Sequence, residues 1–196
     1  MKIMRHNLII GVIGLGYVGT PLALSLARYF KVVGFDLNKN RISQLKKRKD
    51  ITNETNLNEF KRAKKILFSD KLNDLKNCNV FIITVPSPVT KTNKPDFNYL
   101  KKASSLVAKV MNKQSIIVYE STVYPGATEE QCVPILEKIS RFKYNKDFYC
   151  GYSPERINPG DKKHKLEKVS KIVSASNKKT LSILKFMYGK IIKAKM

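Results

Sequence analysis

The sequence has no tryptophan, only three cysteines, two histidines and no long apolar run. The cysteines Cys78, Cys132 and Cys150 lie far apart and form no CxxC or cysteine–histidine cluster. Neither a disulfide framework nor a metal site is therefore predicted. No segment approaches the roughly 20 apolar residues that span a membrane, and glycines interrupt the apolar N-terminal segment too early for a signal peptide. These absences favour a globular cytoplasmic protein without a membrane partner.

Acidic residues are also scarce, since 15 aspartates and glutamates accompany 38 lysines and arginines, for a formal net charge of +23. Such an excess of positive charge is typical of proteins that bind nucleic acid. However, the lysines occur in nearly every segment, with their densest runs at residues 45–49 and 61–65. We therefore interpret the charge as a generally basic surface that favours anionic ligands such as dinucleotides. A nucleic-acid-binding protein is the disfavoured alternative.

Apolar runs that suit buried strands alternate along the chain with segments in which apolar residues recur at helical spacing. This alternation predicts right-handed crossovers and one α/β domain with a doubly wound, mostly parallel sheet. The helix over residues 128–141 is predicted although it contains Pro134. The predicted strands are residues 8–14, 31–36, 66–69, 80–85, 115–119, 148–152 and 172–174, and the predicted helices are residues 18–29, 38–48, 57–64, 97–111, 128–141 and 180–192.

The segment GLGYVG, residues 14–19, ends the first predicted strand and opens the first predicted helix. In this context Gly14 can make the tight turn, Gly16 leaves room for a pyrophosphate, and Gly19 lets helix and strand pack closely. The phosphates would lie on the N–H groups of the helix that starts near Val18. The sequence therefore predicts a Rossmann-type dinucleotide-binding fold, and glycines that serve only a turn are the alternative.

Asp36 ends the second predicted strand, about 20 residues after the turn, where a carboxylate accepts hydrogen bonds from the adenosine ribose hydroxyls. Because this carboxylate would repel a 2′-phosphate, NAD is predicted rather than NADP. Arg41 lies slightly further along the chain. It either approaches the adenosine end of the cofactor or is a solvated helix residue, and both interpretations stay open.

Four motifs occur in order along the chain: GVIGLGYVGTPLA, TVPSPVT, YESTVYPGATEE and GYSPERINPGD. Together they resemble the UDP-glucose/GDP-mannose dehydrogenase family, and especially its branch that oxidises UDP-N-acetylhexosamines for bacterial surface-polysaccharide synthesis. The resemblance implies a two-step oxidation of the sugar C6 alcohol to a carboxylate, with two NAD, a UDP-sugar substrate and no metal. It also implies a homodimer when the protein is full length.

The resemblance further implies roles for single residues near the cofactor. Tyr17 and Val18 match the pyrophosphate turn of the family, and Asp36 matches its ribose carboxylate. Ser87 matches a position beside the cofactor that threonine usually occupies, so a hydroxyl is retained. Thr122 matches a threonine near the nicotinamide that helps to position a water or the substrate oxygen. The alternative for Thr122 is that it only caps the turn that follows it.

The motif SPERINPG implies roles on the substrate side of the site. Glu155 matches a glutamate that activates water for thioester hydrolysis, which is a general-base role. Arg156, Ile157 and Asn158 match a loop that runs along the sugar nucleotide. Glu155 could instead be an exposed loop carboxylate, and Arg156 could pair with a surface acid. Pro159 occupies a position where hexose-specific members carry a second glutamate, which favours an N-acetylhexosamine as substrate.

The resemblance ends before the catalytic cysteine of the family. Family members continue through a central helix to that cysteine, which binds the aldehyde and then carries a thioester, and on to a UDP-binding domain. None of the three cysteines here lies in a matching motif. We therefore expect residues 1–196 to be an N-terminal dinucleotide-binding domain with an incomplete last helix, which alone does not complete the oxidation. An NAD-binding fragment without catalytic activity is the alternative.

Overall fold

The computed structural model describes residues 7–90, 92, 95–154, 169–192 and 194. Seven strands in this part of the chain form one sheet. Most of their residues are apolar and buried, as is usual for strands that are covered on both faces. The strands are β1 (Ile9–Ile13), β2 (Lys31–Phe35), β3 (Ile66–Ser69), β4 (Val80–Ile83), β5 (Ile116–Tyr119), β6 (Tyr149–Tyr152) and β7 (Ser174–Ala175).

Helices follow most of the strands, and several of these helices have an asparagine at the N-cap position. Asn38, Asn56 and Asn177 each accept a hydrogen bond from a backbone N–H of the first helical turn, which satisfies donors that a helix start leaves unpaired. Within the described ranges, no helix is long and apolar enough to cross a membrane. The helices are α1 (Gly19–Leu26), α2 (Lys39–Lys46), α3 (Leu57–Arg62), α4 (Asn98–Ala108), α5 (Val133–Ser140) and α6 (Lys178–Gly189), with a 3-10 turn at Leu72–Leu75.

The strand order in the sheet is β3-β2-β1-β4-β5-β6-β7. Neighbouring strands are parallel except for β6 and β7, which are antiparallel. The chain therefore winds outward from β1 in one direction and from β4 in the other. This arrangement confirms the predicted doubly wound, mostly parallel α/β fold. Ligands of such sheets bind outside the carboxyl ends of the strands, where the order reverses, and here that place lies between β1 and β4.

The sheet separates two apolar cores. Val80 and Ile82 of β4 belong to the core beneath α1 and α6, whereas Phe81 and Ile83 belong to the core beneath α4 and α5. All four side chains are completely buried, because successive residues of a strand point to opposite faces. Because helices cover both faces of the sheet, a ligand can reach it at the ends of the strands.

Two elements differ from the sequence prediction in their type or pairing, and the bounds of most others differ by one to three residues. The helix predicted over residues 128–141 begins with a π-helical turn at Thr128–Cys132, and α5 follows it. Pro134 lies in the first turn of α5, where the missing N–H of proline costs no hydrogen bond. The last strand was predicted at residues 172–174, but it is found at Ser174–Ala175 and runs antiparallel to β6.

Candidate functional site

The GLGYVG segment forms a tight turn between β1 and α1, at the point where the strand order reverses. Gly14 has a φ of 95°, in the left-handed region that favours glycine. A Cβ on Gly19 would lie 1.8 Å from the carbonyl oxygen of Gly14, so only glycine fits there. A Cβ on Gly16 would meet no atom within 4 Å apart from those of its two chain neighbours. The space beside Gly16 therefore suits a pyrophosphate that approaches the backbone.

The start of α1 is electrostatically suited to an anion. No side chain caps the helix at Val18, and its first turn carries no acidic residue. The amino end therefore keeps the partial positive charge of the helix dipole. Tyr17, just before it, is 54% exposed. Helix starts of this kind bind phosphate groups through their backbone N–H groups, so the turn and helix together fit a dinucleotide pyrophosphate.

Asp36 contacts the glycine turn from the end of β2. Its Oδ2 accepts a hydrogen bond from the N–H of Leu15 at 2.8 Å, and its Oδ1 accepts one from the N–H of Asn38 at 2.9 Å. The side chain is half-buried, and a carboxylate can accept more than two hydrogen bonds. Asp36 therefore fits the ribose hydroxyls of a dinucleotide, and this role stays a prediction.

Arg41 does not extend into solvent, because it is only 7% exposed. Its Nε donates a hydrogen bond to the carbonyl of Leu15 at 2.8 Å. Its Nη2 donates to the Thr20 hydroxyl at 2.8 Å and to Asp50 Oδ1 at 2.7 Å. The interpretation of Arg41 as a solvated helix residue is therefore wrong, since the ion pair with Asp50 fixes the guanidinium against the turn. A contact between Arg41 and the adenosine stays a prediction.

Ser87 and Thr122 lie together at the ends of β4 and β5. The Ser87 hydroxyl donates a hydrogen bond to the Thr122 carbonyl at 2.8 Å, and the Ser121 hydroxyl donates to a carbonyl of the loop after β4 at 2.9 Å. Thr84, at the end of β4, donates to the Gly14 carbonyl at 2.7 Å. These hydrogen bonds bring Ser87 and Thr122 to the same edge of the sheet as the glycine turn.

The residues predicted to activate water and to line the sugar nucleotide, 155–158, lie outside the described residues, so their roles stay predictions. Ser153, shortly before them, is fully buried. Its N–H donates to the Tyr119 carbonyl at 3.1 Å, and its hydroxyl donates to the Ile172 carbonyl at 2.8 Å. The chain before and after this segment is therefore fixed at the carboxyl end of β5.

A buried charged cluster follows β5 directly and consists of Glu120, Lys171 and Tyr188. Glu120 is 2% exposed, and its Oε2 accepts a hydrogen bond from the Lys171 ammonium at 2.8 Å. Its Oε1 accepts one from the Tyr188 hydroxyl. Lys171 and Tyr188 are not predicted from the sequence, since they lie 51 and 68 residues from Glu120. The one available signal was an acidic residue at the end of an apolar strand.

The three cysteines are buried and unbonded, and burial raises the pKa of each thiol. The pKa of Cys78 is raised to about 12, that of Cys132 is raised, and that of Cys150 is well above the ordinary value. Because only the thiolate is a nucleophile, we expect no cysteine of the native chain to react promptly with Ellman's reagent near pH 8. All three should react in concentrated urea. A thiol that reacts fast in the native chain would contradict this expectation and restore that cysteine as a candidate nucleophile.

A glycine turn at the reversal point of a doubly wound sheet, an open helix start and a carboxylate at the end of β2 together define a dinucleotide-binding domain. Residues 8–192 match the UDP-glucose/GDP-mannose dehydrogenase family, NAD binding domain. The chain belongs to this family, which confirms the resemblance found in the sequence and the prediction of NAD as cofactor.

Several relatives share this domain. The chain is 48% identical over 188 residues to a UDP-N-acetyl-D-glucosamine 6-dehydrogenase of Pseudomonas aeruginosa, covering 96% of the chain and 44% of the relative. It is 50% identical over 185 residues to a protein of the same name from Salmonella typhi, covering 94% and 44%. The solved structure of a UDP-D-ManNAc dehydrogenase from Pyrococcus horikoshii is similar with a TM-score of 0.82 and 31% identity, covering 96% and 46%. The chain thus spans less than half the length of these relatives.

Proposed function

We propose that residues 1–196 are the N-terminal NAD-binding domain of an enzyme that oxidises the C6 alcohol of a UDP-N-acetylhexosamine to the uronic acid, for surface-polysaccharide synthesis. The identity of 48% and 50% to two relatives named UDP-N-acetyl-D-glucosamine 6-dehydrogenase carries this proposal. Pro159 supports the N-acetylhexosamine branch, because hexose-specific members have glutamate there. The choice between glucose and galactose epimers would be made by the substrate side of the site.

NAD, when bound, accepts the hydride that leaves the sugar C6 carbon. The glycine turn and the start of α1 would hold its pyrophosphate, since the space beside Gly16 is open and the helix start is uncapped. Asp36 would accept hydrogen bonds from the adenosine ribose. Arg41 would lie towards the adenosine end, where it already holds the Leu15 carbonyl at 2.8 Å. The residues of the turn therefore fit the cofactor of the family.

The residues proposed to act on the substrate follow β4, β5 and β6 in the sequence. The exposed Thr122 would position a water or the substrate oxygen beside the nicotinamide. Ser87 would keep the Thr122 loop in place, because its hydroxyl donates to the Thr122 carbonyl at 2.8 Å. Glu155 would act as the general base that takes a proton from the hydrolytic water. Residues 156–158 would line the sugar nucleotide.

We propose that the nucleophilic thiol comes from the part of the relatives that this chain does not span. The burial of Cys78, Cys132 and Cys150 supports this assignment, since a buried neutral thiol cannot attack an aldehyde. The same observation favours a second candidate function, in which the domain only binds NAD. The two candidates differ in whether turnover follows when the missing half is supplied.

The first test of the proposal is calorimetric titration of the chain with NAD and NADP. We expect NAD to bind more tightly, and Asp36→Ala to weaken NAD binding by about 10- to 100-fold, because a charge-assisted hydrogen bond contributes about 1.5–3 kcal/mol. Asp147→Ala is the matched control, since Asp147 precedes β6 at the opposite end of the sheet. Equal NAD affinities of Asp36→Ala and the parent chain would remove Asp36 from the site.

The second part of the test measures NADH formation with UDP-N-acetylglucosamine or UDP-N-acetylgalactosamine. We expect none from the isolated chain, and turnover after its fusion to the C-terminal half of the Pseudomonas aeruginosa relative. Turnover by the isolated chain would contradict the proposal that the thiol lies elsewhere. A fused protein that binds NAD and both sugar nucleotides but produces no NADH would favour the binding-only function.

A further inference from the structure

Asp50 is a buried carboxylate to which the proposed function gives no role. Its side chain is 0% exposed, and it lies in the DITNET segment between α2 and α3. Its Oδ1 accepts hydrogen bonds from the N–H and hydroxyl of Thr52 at 3.1 and 2.7 Å. Its Oδ2 accepts them from the N–H and hydroxyl of Thr55 at 3.0 and 2.7 Å. The loop is therefore folded around the charge of Asp50, which pairs with Arg41 at 2.7 Å.

Asp50 carries its charge in spite of its burial. Burial alone would raise the pKa of the Asp50 carboxyl, but hydrogen bonds from Thr52, Thr55 and Arg41 outweigh it and hold the pKa below its ordinary value. The carboxylate is therefore ionised at neutral pH, and Asp50 and Arg41 together carry no net charge. A guanidinium without this partner would remain buried and uncompensated.

Arg41 and Asp36 meet on the same residue of the glycine turn. The N–H of Leu15 donates to Asp36 at 2.8 Å, and the carbonyl of Leu15 accepts from Arg41 at 2.8 Å. NADP differs from NAD by a phosphate on the ribose that the carboxylate would bind, and a nearby arginine is the usual partner of that phosphate. Arg41 lies where an arginine could bind the 2′-phosphate of NADP, but Asp50 already compensates the charge of Arg41.

We propose that Asp50 is a specificity-determining residue for NAD over NADP, acting through Arg41. Asp36, Asp50 and Arg41 together leave a net negative charge at this end of the site, and this charge repels a 2′-phosphate. Loss of the Asp50 charge makes the sum zero and leaves the guanidinium without its counter-charge. Lys39 is exposed in the first turn of α2, so solvent and salt screen it. The inference rests on the proposed NAD site.

The test is titration with NAD and with NADP of the parent chain, Asp50→Asn, and Asp50→Asn combined with Arg41→Gln. We expect Asp50→Asn to lower the ratio of the NADP to the NAD dissociation constant by on the order of tenfold. The reason is that the variant removes one negative charge that repels the 2′-phosphate through partly screened protein. The combined variant has the same net charge as the parent chain, so its ratio should return towards the parent value. Asp147→Ala, at the far end of the sheet, should leave the ratio unchanged.

Circular dichroism at the titration temperature establishes that each variant is folded. If Asp50→Asn does not fold, Asp50→Ser removes the same charge and leaves room for a water beside the Arg41 guanidinium. A folded variant with an unchanged ratio overturns the inference, whether both affinities weaken equally or neither changes. A ratio that stays low in the combined variant also overturns it. A parent chain that binds neither cofactor overturns the proposed function, and this inference with it.

Discussion

Gly16→Ala is expected to weaken NAD binding strongly without unfolding the chain. The alanine Cβ would meet no atom within 4 Å apart from those of its two chain neighbours, and Gly16 is not among the glycines with positive φ. The folded chain therefore accepts the methyl group. The methyl group would nevertheless occupy the space into which the pyrophosphate approaches the backbone. We expect a loss of affinity of about 100-fold or more, equivalent to about 3 kcal/mol, by calorimetric titration.

Gly19→Ala in the same turn is the matched comparison, and it should act on the fold instead. Its Cβ would lie 1.8 Å from the Gly14 carbonyl oxygen and 2.5 Å from the Thr84 hydroxyl, so the backbone must move. Overpacking of this kind costs about 1–3 kcal/mol or more, measured as the free energy of unfolding in urea. If Gly16→Ala binds NAD like the parent chain, the cofactor does not lie against this turn.

Glu120→Gln is expected to lower the free energy of unfolding by about 3–5 kcal/mol, as does the loss of one partner of a buried ion pair. The side chains of Lys171 and Glu120 are 6% and 0% exposed, so Lys171 would lose its counter-charge in a place with little access to water. The Tyr188 hydroxyl would also lose a charged acceptor. Since folded proteins are stable by only about 5–15 kcal/mol, the loss is easily measured by urea denaturation.

Lys113→Ala is the control for this prediction, because it breaks a surface ion pair with Asp147 in which the lysine is 66% exposed. Exposed pairs contribute little to stability, so this variant should unfold at nearly the same urea concentration as the parent chain. Replacing Glu120 and Lys171 together with methionine should cost less than Glu120→Gln alone, since no buried charge is left. Equal stability of Glu120→Gln and Lys113→Ala would mean that water compensates the buried ammonium.

Patterns that are local in the sequence predicted the fold and the glycine turn. Residues 80–85 form a continuous, largely apolar run, and the first four of them, Val80–Ile83, form β4 between the two cores. GLGYVG combines a motif with its position after an apolar strand, and that combination places it at the reversal point of the sheet. In both cases the physical cause, burial on two faces or a turn that excludes side chains, acts within a few residues.

Partners that are distant in the sequence could not be predicted in this way. The partners of Glu120 lie on a later loop and on α6, and no periodicity relates these positions. Arg41 has the sequence context of an exposed helix residue, because its neighbours Lys39 and Asn40 are polar and exposed. Its burial depends on Asp50, whose own position depends on the hydrogen bonds of a loop. Tertiary contacts of single charged side chains thus need the folded structure.

The glycine turn is held from several sides by groups that belong to the protein itself. The Thr84 hydroxyl donates a hydrogen bond to the Gly14 carbonyl at 2.7 Å, and the Thr20 hydroxyl donates one to the Leu15 carbonyl at 2.8 Å. Binding usually loses free energy because flexible loops and side chains must become ordered. Here that ordering is completed when the chain folds, so the entropy lost on association belongs largely to the dinucleotide. A preorganised turn of this kind leaves the choice of cofactor to charge and shape.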